Sequence, residues 1–119
     1  GLVPSAAAAH AAGALPFEAK TVAELRCMPH DALETHLVHA YKALVSVGSA
    51  GEILAIVAYL HVSCEVTHVA NVIVNSSFIA VFIQILRMPD APSTHLAIRH
   101  RLLVLLGVLM RHATYLVRE

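Results

Sequence analysis

The chain has 119 residues, enough for one hydrophobic core but not for two domains of the usual length, about 100 to 200 residues each. Hydrophobic residues make up 58% of it and charged residues 13%, against roughly 25% charged in an ordinary soluble domain, which excludes disorder for most of its length. Eight Lys and Arg cancel eight Asp and Glu, so no net field selects nucleic acid or an anionic membrane as a partner.

The opening stretch, Ser5 to Ala14, is almost entirely Ala and His. It lacks the cationic start and strongly apolar centre of a signal peptide, and residues 1–20 read as a flexible tail or linker. Residues 21–119 read as one helical segment. Gly1 is not an initiator Met, and no Gly or Pro stop precedes Glu119, so both ends read as cut from something longer. Cys27 and Cys64 lack the spacing of a disulfide framework or a zinc knuckle and read as reduced thiols of a cytoplasmic protein.

Beyond Pro29 the apolar residues recur at three and four, the period of a helix. Asp31 followed by Glu34 has capping spacing, and Leu33, Leu37, Tyr41, Leu44 and Val45 share a face, so a helix is expected over 32–47 with Gly48 as its left-handed stop. Ser49 and Glu52 repeat the cap, and Ile53, Val57, Leu60 and Cys64 continue along the next helical face, giving an antiparallel pair. From Val66 to Leu86 no side chain carries a formal charge, a length that could cross a bilayer. Asn75, Ser76 and Ser77 at its centre argue against a membrane span and for two short helices, 66–74 and 77–88, with Ser76 or Ser77 capping the second.

In that second helix Ser77, Ala80, Gln84 and Arg87 form one narrow stripe and the rest is apolar, which predicts packing on several sides. Pro89 and Pro92 end it, Ser93 or Thr94 can cap the next, and the last helix is expected over 95–117. Its run Leu102 to Met110 reads as buried, with Gly107 admitting a second helix closely. Charge is uneven: residues 1–86 hold three cations against six anions, and the remainder five Arg against two. Arg99, Arg101 and Arg111 are candidates for a basic strip that favours an acidic partner, and Ser77, Gln84 and Arg87 for a peptide-binding groove. The pattern as a whole predicts an all-α fold of antiparallel helical repeats, an armadillo- or HEAT-like α-solenoid fragment of about two to three repeats whose uncovered ends favour self-association.

Nine histidines raise the question of a metal site. The best spacing is His61, Cys64 and His68, which would align on one face if a helix ran unbroken through Glu65; no fourth ligand is evident, and no metal or cofactor is expected. Neither a Gly-rich phosphate loop nor a nucleophile elbow nor paired carboxylates occurs, so no reaction is assigned to this segment. The alternatives weighed against a protein-binding scaffold are a membrane-inserted helical segment and a small metal-binding module.

The turn VNSSF at 74–78, IQILR at 83–87 and LLGVLMRHATY at 105–115 resemble the helical-repeat region of Fused-type members of the Unc-51-like kinase family, over about residues 25–117. The resemblance implies a scaffold segment of a kinase or pseudokinase-type parent, located in the cytoplasm, cytoskeleton, cilium or flagellum, with partners such as tubulin or cilium components. No catalytic residue is carried over by it, and the many histidines depart from the pattern.

Overall fold

A computed structural model describes residues 15–46, 49–88 and 93–118, with the side chains of the last helix described for 95–113. Six helices and no strands occur among the described residues: α1 (Val22–Cys27), α2 (His30–Ser46), α3 (Ala50–Ser63), α4 (Thr67–Val74), α5 (Phe78–Leu86) and α6 (Ser93–Arg118). The expected all-α class is what the chain adopts.

Local chemistry sets most boundaries. α1, which the periodicity did not announce, is nucleated by a capping box: Thr21 Oγ1 accepts from the Glu24 N–H, and the Glu24 carboxylate accepts from the Thr21 N–H. α2 starts at His30, directly after Pro29, so Asp31 lies inside the first turn rather than capping it. The expected stop at Gly48 lies outside the described residues. Ser49 caps α3 by accepting from the Glu52 N–H at 3.1 Å. The polar cluster breaks the chain where expected. Asn75 donates back to the Asn71 carbonyl, Ser76 donates to the Ile73 carbonyl, and Ser76 Oγ accepts from the Phe78 N–H. Ser77 stands at the cap position of α5 without a side-chain hydrogen bond. The α6 caps proposed at Ser93 and Thr94, and Pro89 and Pro92, lie outside the described side chains.

The core follows from periodicity. α2 buries Leu33, Leu37, Ala40 and Leu44, and α6 buries Ile98, Leu102, Leu105 and Leu109, both in steps of four, three and four. Between them lie Ile56, Val57 and Leu60 of α3, Val69 and Ile73 of α4, and Phe78 and Phe82 of α5. α6 packs most extensively on α3 and also touches α4 and α5. The Cα envelope measures 41 × 37 × 20 Å. Its thin dimension holds about two helix layers, and α6, with 26 residues at about 1.5 Å each, is nearly as long as the longest dimension.

Three expectations change here. Residues 15–20 are not a free tail: Leu15 and Phe17 pack against the core, and the Lys20 N–H donates to Tyr59 Oη at 2.9 Å. Residues 1–14 lie outside the description. α5 packs against α2, α4 and α6, as expected, but its solvent stripe is not purely polar, since Ile83 beside Ala80 and Gln84 is 42% exposed. Nor is Leu102–Met110 buried all round. No second helix of this chain comes close at Gly107: a Cβ built there would meet only the Arg111 side chain, at 3.8 Å. No single helix among the described residues is long and apolar enough to cross a membrane; α4 and α5 reach that length only together, bent by 74°.

Candidate functional site

α6 turns two different faces outward and inward. While every fourth or third residue enters the core, Leu96, Leu103 and Val104 stand 57%, 61% and 41% exposed. Leu96 and Leu103 are seven residues apart and therefore stack on one line of the helix, with His100 and Gly107 one turn further along the same side. Leu103 directly follows the fully buried Leu102, so the run of apolar residues wraps the whole helix and its outer half meets water. Sequence reading took that run as evidence of burial; the heptad spacing of 96 and 103 was the signal that could have separated the two halves.

The arginines on α6 do not form one strip. Positions 99 and 101 leave the helix on opposite edges of the apolar line, as a rotation of about 100° per residue requires. Arg99 donates to the Met88 carbonyl at 2.8 Å, tying α6 to the chain just beyond the C-terminus of α5. Arg101 lies 3.4 Å from His61 Nδ1. A guanidinium can only donate, so Nδ1 is the acceptor and the His61 proton sits on Nε2. Burial, and secondarily the Arg101 charge, holds His61 below the usual imidazole range. Arg111 is exposed, beside the space above Gly107. Two shallow grooves follow the α3–α6 seam, of about 420 and 300 Å³, both lined by His61 and Arg101; Val104 closes one and Val62, 52% exposed, the other.

A second cluster lies across the molecule. His30 Nδ1 and His68 Nε2 are 2.6 Å apart, although 38 residues separate them in sequence, and His30 Nε2 is 3.2 Å from the Glu34 carboxylate. Two ring faces cannot bring nitrogens that close, since carbon contacts stop at about 3.5 Å, so the imidazoles meet edge to edge. With Glu34 accepting from His30 Nε2–H, Nδ1 is the acceptor and His68 Nε2–H donates to it. This clasp pins the start of α4 to the start of α2 at one end of an open groove of about 530 Å³, in which Tyr41 meets Phe78 edge-on. Of the stripe Ser77, Gln84 and Arg87, all exposed on the outer side of α5, only Ser77 borders this groove.

The chain matches no family model, no curated protein and no solved structure.

The alignment of His61, Cys64 and His68 does not form. α3 ends at Ser63, a turn occupies 64–66, and α4 begins at Thr67, so His61 goes to Arg101, His68 to His30, and Cys64 into the core. Among the described residues no three His, Cys, Asp or Glu side chains come together as metal ligands. Burial pushes the Cys64 thiol up to about 12, so it is a packed sulfhydryl and a poor nucleophile. The polar groups present can orient helices and accept contacts.

Proposed function

We propose that this chain is a protein-interaction module, binding through a helical surface, and that its helices form two armadillo- or HEAT-like repeats. What supports the repeat reading is the order of lengths: α1 to α3 and α4 to α6 each start with a short helix and end with a longer one. The helices that close the two sets, α3 and α6, also make the most extensive contact. Stacked repeats bury the face of one unit against the next, so equivalent helices lie side by side.

The observation that carries the binding reading is the exposed line Leu96, Leu103 and Val104. Scattered surface leucines are ordinary, but aligned ones at helical spacing, flanked by grooves, form a ready seat for another helix. The resemblance to Fused-type repeats makes tubulin and cilium components the first candidates, with the parent a kinase or pseudokinase-type scaffold. Binding of purified tubulin to the immobilised chain tests that identity. The variants Leu103→Asp, Gln84→Ala and Arg87→Glu separate the α6 face from the α5 stripe. Loss of binding in the first alone places the interface on α6; binding unchanged in all three removes both surfaces.

A further inference from the structure

From the chemistry of the same face we infer the class of partner, an inference that rests on the binding reading above: the outer side of α6 takes an acidic amphipathic helix. Three observations converge. The apolar line of Leu96 and Leu103 repeats at seven residues, the spacing at which one helix presents a seam to another. Gly107 leaves a hole on that line with nothing but the Arg111 side chain near it, as a knob from a facing helix requires. Finally, the charges are of one sign. From 95 to 113 the helix carries Arg99, Arg101 and Arg111 and no Asp or Glu.

Arg99 and Arg101 leave on opposite flanks of the apolar line, each half-buried and with one donor already taken, by the Met88 carbonyl and by His61, and Arg111, which is exposed, sits one turn beyond Gly107. A helix lying on the seam would set its flanking positions against these guanidiniums. Glutamates there gain charge-assisted hydrogen bonds, while lysines meet like charge with no acid on α6 to relieve it. Glu65, at the rim of the groove shared by Val62 and Arg101, lies outside this line. A second copy of this chain fits less well, because pairing α6 with itself opposes arginine to arginine.

The test uses two synthetic labelled peptides of three heptads with leucine at the seam positions, one with Glu and one with Lys at the flanks. Fluorescence anisotropy with the full chain is expected to show the Glu peptide binding at least about tenfold tighter, a difference of about 1.4 kcal/mol. That preference is expected to shrink from low to high salt and to reverse in the double variant Arg101→Glu, Arg111→Glu. Leu103→Asp abolishes binding of both peptides while circular dichroism stays unchanged; Leu103→Asn serves as the milder variant should the first disturb the fold. Equal affinity for the two peptides overturns the acidic partner but leaves the docking face standing. No binding of either by folded protein sinks the docking face itself. Sedimentation showing a dimer that Leu103→Asp dissociates assigns the seam to a second copy and overturns the inference as stated.

Discussion

Tyr59 joins three parts of the chain that sequence alone leaves far apart. Its oxygen accepts from the Lys20 N–H and lies 2.7 Å from His36 Nε2, and Phe17 packs edge-on to both rings. Burial raises the phenol above its usual range, so it stays protonated and can donate to His36. Burial first, and then the Lys20 and His39 charges, holds His36 below the ordinary imidazole range. The unfolded chain therefore takes up a proton on this residue at higher pH than the folded chain does. Stability contributed here is present above the unfolded pKa of about 6.5 and falls as pH drops from there toward the lower folded value. His61 adds to the same trend with the same sign. Melting temperatures measured at pH 7.5, 6.5 and 5.5 are expected to decline, and His36→Gln to flatten part of the decline; a rise on acidification would contradict the assignment. The two thiols offer a simpler check. Cys27 is exposed and Cys64 is buried, so an aromatic disulfide reagent is expected to titrate one thiol in the native chain and two after denaturation.

At the scale of elements, adjacent residues on α6 test which face is which. Leu102 is 0% exposed and Leu103 61%. Leu102→Ala is expected to cost about 2 to 5 kcal/mol, a cavity in a packed core, and Leu103→Ala within about 0.5 kcal/mol of nothing. Urea midpoints at constant slope would measure both. Ser49→Ala removes the α3 cap and is expected to cost about 1 kcal/mol by the same measurement. These elements also show where sequence reading works. Ser49 with Glu52, and the Asn75–Ser77 break, are local rules read from neighbouring residues, and they hold. α1 was legible in the same terms, since Thr21 and Glu24 have capping-box spacing, but six residues are too few to show a period. Asp31 failed as a cap because Pro29 had already fixed the entry to α2. The His30–His68 clasp and the Tyr59 network had no local signal, since each joins residues 23 to 39 positions apart. The outer face of α6 was legible in spacing and obscured by composition, because hydrophobicity counts residues without saying which side of the helix they occupy.

The molecule as a whole is thin, and its cohesion runs through α6. That helix covers α3 along most of its contact and touches α4 and α5 as well, whereas α1 and α2 reach α6 mainly through α3 and α4. In a linear array, stability is nearly a sum of neighbouring interfaces, so a terminal element can be removed and the remainder keeps its own transition. Here the remainder would be α1 to α5 in 88 residues, with α3 losing the helix it packs on most and α4 and α5 losing part of their cover. Chains near that size have little core to spare, and uncovering several fully buried aliphatic side chains at about 1.5 to 3 kcal/mol each exceeds what a small domain holds in reserve. Ending the chain after Met88 is therefore expected to abolish the sigmoidal thermal transition followed by circular dichroism at 222 nm. The helical signal should fall by much more than the share of α6. A shortened chain that still melts sharply, having lost only the α6 signal, would show α1 to α5 to be an autonomous unit, with α6 an arm laid against it. The apolar line on α6 would then belong to a movable element, carried on the face opposite the one that packs on α3.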